Sequence, residues 1–231
     1  MRTGVSSPLT FKWEGTLVYA VGVRRPLLAS VPVAGSSLQR IVISPEVERW
    51  SPPKVWLYWL LHRNPKSNAE IVRYANLSET DRFLDIGCGP GAALEHAVAA
   101  GAEVAGVDPS AAMVARAAKR VPNAEVKLGS AEDIPFPNDT FTVACNVSSF
   151  HHWADREAGL REIQRVLAHG GRLHIVEGKL KEGKDGHGLD PHEARVLTEK
   201  LGEMGYTETN IGTIKPGWRH EYIVVSAVNS T

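Results

Sequence analysis

Cysteine is nearly missing from this chain: Cys88 and Cys145 are the whole complement in 231 residues. Two thiols so far apart make neither a disulfide framework nor a zinc-ligand spacing, so no metal is expected and a reducing cytoplasm is the default location. An excess of either charge is also missing, with 26 Lys+Arg against 26 Asp+Glu. A broad nucleic-acid or membrane-surface footprint needs a basic excess, so neither partner is expected. No stretch reaches the ~18 consecutive apolar residues of a spanning helix. The nearest, 15–33, is interrupted by Arg24 and Arg25 and then by Pro26 and Pro32. The short apolar run 17–23 lies behind Lys12 and Glu14, which is not the layout of a signal peptide. Internal repeats and low-complexity tracts are absent as well. What remains suits one domain with a full hydrophobic core.

Residues 1–44 hold turn formers and short β-branched pieces such as Ile41-Val42-Ile43, and read as a partly extended N-terminal arm. Residues 45–77 read as a helical cover broken near Pro52-Pro53 and Asn64-Pro65, with an aromatic face around Trp56 and Trp59. Trp50 and Tyr58 add to that face. From residue 80 onward strands and helices alternate, the pattern of a parallel sheet covered on both faces. Strands are expected at 82–86, 103–108, 124–129, 141–146 and 171–177, and helices at 92–100, 110–120, 154–168 and 190–204. His169-Gly170-Gly171 is expected to stop the helix that carries Leu160, Ile163, Val166 and Leu167. Asp190-Pro191 with Glu193 reads as a capping box opening the last helix. Two strand-like runs, 206–214 and 218–228, close the chain.

The most informative stretch is Phe83-Leu84-Asp85-Ile86-Gly87-Cys88-Gly89-Pro90-Gly91. An apolar strand enters a turn of three glycines, and a helical stretch leaves it. Glycine lets a backbone approach a ligand closely and adopt positive φ. A second strand then delivers Asp108, ~20 residues beyond the turn, where an open α/β sheet places an acid for ribose hydroxyls. The same residues fit a dinucleotide-binding pattern, Gly87-x-Gly89-x-x-Ala92 with Asp108. A pyrophosphate at that turn would not welcome the carboxylate of Asp85, whereas a ligand bearing an ammonium or a sulfonium would gain from it.

These residues resemble motifs I and II of the class I S-adenosylmethionine-dependent methyltransferases. Gly129-Ser130-Ala131-Glu132-Asp133-Ile134-Pro135-Phe136 is similar to their adenine-lining segment, with Ser130 where aspartate is usual. Phe141-Thr142-Val143-Ala144-Cys145-Asn146, with His151-His152, resembles the ubiquinone/menaquinone-biosynthesis type. So does Leu160-x-Glu162-x-x-Arg165-Val166-Leu167 followed by Gly170-Gly171-Arg172-Leu173. The resemblance spans roughly residues 65–228. It implies a Rossmann-like, doubly wound α/β fold with a seven-stranded, mostly parallel sheet in the order 3-2-1-4-5-7-6, strand 7 antiparallel. It implies S-adenosyl-L-methionine as cofactor, held by Asp85, Gly87, Gly89, Gly91, Asp108, Pro109, Met113, Ser130, Ala131, Glu132 and Asn146. The domain division it suggests is 1–44 for the arm and 45–231 for the methyltransferase domain.

The acceptor is less legible. No Asp/Asn-Pro-Pro-aromatic run ends the fourth strand, which disfavours adenine or glutamine as acceptor, and the tract 178–188 reads as a short mobile loop rather than a substrate domain. A small organic molecule is therefore expected, in a pocket walled by Trp56, Trp59, the 148–153 loop and Glu177. Methyl transfer to oxygen or nitrogen needs a proton removed, and His151, His152 and Glu177 are the candidate catalytic residues at the carboxyl edge of the sheet. Glu177 has a plainer alternative, a surface pair with Lys179. Two rivals stay open: an NAD(P)-dependent oxidoreductase, for which a sixth parallel strand would speak, and a non-catalytic S-adenosylmethionine-binding partner subunit.

Overall fold

A computed structural model of the chain describes residues 9–13, 16–20, 28–31, 39–42, 65–184, 186–217 and 220–231. The chain divides into two compact units, Met1–Ser51 and Pro52–Thr231. In the first, β1 (Leu9–Trp13) pairs antiparallel with β2 (Thr16–Ala20), and β3 (Leu28–Val31) pairs antiparallel with β4 (Gln39–Val42). Trp50, Trp56, Tyr58 and Trp59 lie outside the described residues.

The second unit begins, among the described residues, with α1 (Pro65–Tyr74). Then β5 (Arg82–Ile86), α2 (Ala92–Ala99), β6 (Glu103–Asp108), α3 (Ala111–Arg120), β7 (Glu125–Leu128) and β8 (Phe141–Val147) follow. A single 3-10 turn, Phe150–His152, leads to α4 (Arg156–Val166), β9 (Leu167–Gly178), α5 (Pro191–Glu203), β10 (Tyr206–Ile214) and β11 (Tyr222–Asn229). The sheet order is β10-β11-β9-β8-β5-β6-β7. With β5 counted as the first strand, this is 3-2-1-4-5-7-6. β11 runs antiparallel to both β10 and β9, and the pairs among β5 to β9 are parallel. The terminal hairpin stands where the oxidoreductase reading asked for a sixth parallel strand.

The central strands read as continuous apolar runs because both of their faces are covered. Successive side chains of β5 point to opposite sides. Leu84 and Ile86 join the core formed with Leu160 and Ile163 of α4 and Leu197 and Leu201 of α5. Phe83 joins Ile71 of α1, Leu94 of α2 and Ala117 of α3 on the other face. β10, at one edge, is largely exposed along its length. The capping box is present: Asp190 accepts from the Glu193 N–H at 2.8 Å while Glu193 accepts from the Asp190 N–H at 3.0 Å.

One boundary differs from expectation. The helix with Leu160 and Ile163 ends at Val166, and a strand starts at Leu167 without any glycine stop. Gly170, at φ 76°, instead belongs to an irregularity in which Phe141 pairs with Leu167 but Val143 pairs with Arg172. The reason is a residue far away in sequence. Buried Asn229, near the end of β11, donates through Nδ2 to the carbonyls of Gln164, Leu167 and Ala168, the nearest at 2.9 Å. Gln164 is a helix-end acceptor that the helix itself leaves unpaired, while Leu167 and Ala168 already belong to β9; the Arg165 and Val166 carbonyls accept from the Asp139 and Thr140 N–H groups at 3.0 and 2.8 Å.

Candidate active site

The site lies at the carboxyl ends of β5, β6, β8 and β9. The sheet reverses direction of winding between β5 and β8, the place where open α/β sheets leave a crevice for ligands. The glycine turn closes onto β6: the Gly87 and Cys88 N–H groups both donate to Val107 O, at 2.8 and 3.1 Å. Gly91 ends the turn at φ 80°, and a Cβ there would stand 3.1 Å from the backbone of Ala117 in α3. Gly89, at φ 51°, differs: a Cβ there would meet nothing within 4 Å. Its bare backbone therefore fronts open space rather than a neighbouring helix.

Asp108 ties this turn together. Its Oδ2 accepts from the Gly89 N–H and its Oδ1 from the Ser110 N–H, both at 2.8 Å. Burial nevertheless pushes its carboxyl up to about 6, the two amides only partly offsetting the loss of water. Burial first, and then the charge of Asp108, push the Asp85 carboxyl up to about 7. Asp85 Oδ1 and Asn146 Oδ1 are both buried without a hydrogen-bond partner among the described residues. Two orphaned acceptors beside an open glycine backbone are polar groups still owed donors, since buried polar atoms are otherwise nearly always paired. A ligand bearing an ammonium and hydroxyls supplies such donors. Cys88 and Cys145 are buried, and burial beside Asp85 pushes both thiols well up, as suits packing rather than reactivity.

The segment after β7 is held by a clamp from α4. Arg165 donates to the carbonyls of Ile134 and Phe136 at 2.8 Å each and to the Glu162 carboxylate, whose Oε2 accepts from the Ile134 N–H at 3.0 Å. The hydrogen bond from Arg165 holds the Glu162 carboxyl below its usual range. Ser130 and Ala131 follow β7 after Gly129, and Ala131 is buried. Pro109 and buried Met113 lie just past β6. Glu132 is otherwise engaged: its Oε1 accepts from the Ala154 and Asp155 N–H groups at 2.8 and 3.1 Å, fixing the entry to α4.

The loop after β8 presses on the glycine turn from the other side. Ser149 Oγ donates to Ile86 O at 2.9 Å, and a Cβ on Gly87 would stand 2.2 Å from that same Oγ. Asn146 also bonds Ser149 Oγ, and donates to Ile86 O at 3.1 Å. Glu177 is not a surface acid. It is wholly buried, and both its oxygens are used: Oε1 accepts from the Phe150 N–H at 2.7 Å, and Oε2 lies 2.8 Å from His151 Nδ1. Lys179, its expected alternative partner, pairs instead with Glu221 at 2.7 Å. A carboxylate on Nδ1 places the ring proton there and leaves the lone pair on Nε2. His151 is thereby oriented, with its side chain 10% exposed. His152 follows it on the same turn, exposed.

The expected mobile loop after β9 has a fixed neck. The Leu180 N–H donates to Leu189 O at 2.9 Å, the Leu189 N–H to Gly178 O at 3.0 Å, and the Gly183 N–H to Asp190 Oδ2 at 2.9 Å. This fold brings His187 against the pair, its ring centroid 4.9 Å from that of His151 and 5.6 Å from that of His152. His187 was invisible to sequence reasoning. It stands 35 positions after His152 in a tract whose only local sign is a histidine between two glycines.

A parallel sheet with a terminal antiparallel hairpin, a glycine turn and paired acids at the ends of its first two strands is the arrangement of the class I S-adenosylmethionine-dependent methyltransferases. Residues 84–175 of this chain match the methyltransferase domain family. The 27-O-demethylrifamycin SV methyltransferase of Amycolatopsis mediterranei is 35% identical over 124 residues, 51% of this chain and 46% of that protein. The demethylmenaquinone methyltransferase of Chlorobaculum parvum is 37% identical over 121 residues, 52% of this chain and 48% of that one. The chain thus spans about half the length of these two curated relatives. Among solved structures, phosphoethanolamine N-methyltransferase 2 of Haemonchus contortus, bound to phosphomonomethylethanolamine and S-adenosylhomocysteine, superposes with a TM-score of 0.67. It is 17% identical and the match covers 79% of this chain and 58% of that one, a likeness of fold.

Proposed function

We propose that this chain transfers a methyl group from S-adenosylmethionine to an oxygen or nitrogen of a small organic molecule, with His151 as the general base. The observation that carries this reading is the His151–Glu177 pair, seated through Ser149 against the glycine turn that faces the cofactor. Asp108 is suited to ribose hydroxyls, and Asp85 and Asn146 to the cationic end of the donor. Gly87, Gly89 and Gly91 shape the turn, while Pro109, Met113, Ser130 and Ala131 line the base. Glu132 supports that segment through Oε1, which accepts from two backbone amides.

When bound, the cofactor supplies an electrophilic methyl on a sulfonium. Asp85, Asn146 and the glycine turn would hold that donor so that an acceptor lone pair could take the methyl, the S–CH₃ electron pair returning to sulfur. The acceptor proton passes to His151 Nε2. Glu177 steadies the imidazolium that results, as a positioning residue. In-line displacement needs alignment and exclusion of water more than covalent help from the protein. Among the described residues no helix is long and apolar enough to cross a membrane. A small acceptor is favoured by the two curated relatives and by the absence of any inserted substrate domain among the described residues after β9, and a cytoplasmic site of action belongs to the same proposal.

Calorimetry with S-adenosylhomocysteine and with NADH, followed by a screen of metabolite fractions with methyl-labelled cofactor, tests the reading. Micromolar or tighter binding of S-adenosylhomocysteine, worth about 8 kcal/mol or more, is expected. Label transfer to a small product is expected next. Cofactor binding without transfer to any fraction would leave the partner-subunit role instead.

A further inference from the structure

His151, His152 and His187 come from two separate segments, yet each offers a ring nitrogen and all lie within 4.8 Å of one another. Both segments are fixed by backbone contacts. The turn carrying His151 and His152 is held by the Phe150 N–H on Glu177 and by the His152 N–H on Ser149 O at 3.0 Å. His187 adjoins Gly188, where a Cβ would stand 2.1 Å from Gly178 O, so only glycine lets the loop neck close this tightly. The cluster therefore follows from the fold and not from chance surface proximity.

A second observation points to a ligand. Glu177, wholly buried, occupies His151 Nδ1 and leaves Nε2 as the nitrogen open to a ligand, while the His151 ring lies 4.0 Å from that of His152 and 4.9 Å from that of His187, centroid to centroid. A carboxylate behind a histidine is the support that metal-ligating imidazoles characteristically have, because it fixes the tautomer and raises the basicity of the outer nitrogen. Tetrahedral coordination at ~2.0–2.1 Å per nitrogen needs nitrogens ~3.3 Å apart. His187 is exposed on its loop, so rotation of its side chain can close the remaining distance. Exposure on that side also leaves a fourth position for water or an acceptor atom.

We propose that His151, His152 and His187 form a binding site for one divalent transition ion of the zinc class, with Glu177 as the outer partner of His151. Three imidazoles as the ligands suit Zn²⁺, Co²⁺, Ni²⁺ or Cu²⁺ rather than the oxygen-seeking Mg²⁺ or Ca²⁺. Binding there occupies His151 Nε2, so an ion and a proton compete for the same lone pair. The ion site does not depend on the methyltransferase reading, since its ligands make no use of the glycine turn.

The test uses the full chain without a polyhistidine tag, stripped by a chelator, titrated with Zn²⁺ by calorimetry and with Co²⁺ by visible absorption. One equivalent binding at ~10 µM or tighter is expected, with the d–d bands of a tetrahedral cobalt ion. His187→Ala, a change at an exposed loop side chain, should weaken Zn²⁺ by ~30-fold or more and abolish those bands while S-adenosylhomocysteine binds as before. Glu177→Gln should weaken the ion ~10–100-fold, the usual consequence of losing an outer carboxylate. Absence of a saturable single equivalent, or an unaltered affinity in His187→Ala, overturns the site. Loss of S-adenosylhomocysteine binding in the parent chain would instead strike the methyltransferase reading and leave this one standing.

Discussion

The two sides of the crevice are built by different means. The side proposed for the donor is built mainly from one stretch, 85–110, where a glycine turn, two strand ends and two acids are buried and strongly desolvated, with Asn146 added from β8. The side proposed for the acceptor draws on three places, the 148–152 turn, Glu177 and His187, of which His152 and His187 meet solvent. A cofactor that never changes can be recognised by a rigid buried frame. An acceptor surface made of imidazoles on short turns can be altered without disturbing that frame. The two sides should therefore fail separately.

The largest separation is expected from His151→Ala in chelated protein. Turnover should fall ~10²- to 10⁴-fold, the usual span for a general base, while S-adenosylhomocysteine affinity stays put. Comparable loss of cofactor affinity would show that the two sides are one unit. The mirror experiment is Asp108→Ala, which removes a charged acceptor and should weaken S-adenosylhomocysteine by roughly 1–3 kcal/mol. At saturating cofactor its turnover should approach that of the parent; steady-state kinetics at two cofactor concentrations would expose a chemical defect if one existed.

Acidity sharpens the contrast further. Asp85 and Asp108 hold protons in the folded chain up to about 7 and about 6, whereas an unfolded aspartate gives its proton up near 3.8. The folded state thus binds protons more tightly, so the stability owed to these groups is full below pH ~4 and is lost as pH rises through 6–7. Cofactor binding follows the opposite course, because an ammonium needs the ionised carboxylate. Between pH 5.5 and 8 the melting temperature without cofactor should fall from this source while S-adenosylhomocysteine affinity rises. Parallel curves would dissociate Asp85 from the cationic end of the ligand. The smallest effect compares two glycines. Gly89→Ala and Gly91→Ala both place a side chain at positive φ and should each cost about 1–2 kcal/mol of stability. Gly91→Ala should cost more, since its methyl meets Ala117, but Gly89→Ala should lose more cofactor affinity, since its methyl enters the open space. Chemical denaturation paired with calorimetry separates the two.

Local rules made the strands, the glycine turn, the acid at a strand end and the capping box at Asp190 legible in the sequence, while the order of the sheet was implied by the resemblance to the class I methyltransferases. The tertiary structure decided three matters that no window of residues contains. Asn229 of the last strand holds the Gln164 and Leu167 carbonyls where α4 passes into β9 at Val166, ahead of the glycine pair expected to stop the helix. Glu177 became the buried partner of His151 instead of a surface mate of Lys179, since β8 and β9 are neighbours and their ends converge. His187 joined the other histidines only because the loop neck folds Leu189 back onto Gly178. Periodicity and turn chemistry act over a few residues, and so can be read along the chain. Side-chain pairing across strands depends on where the whole sheet places each strand end, and that is fixed only when the core has packed.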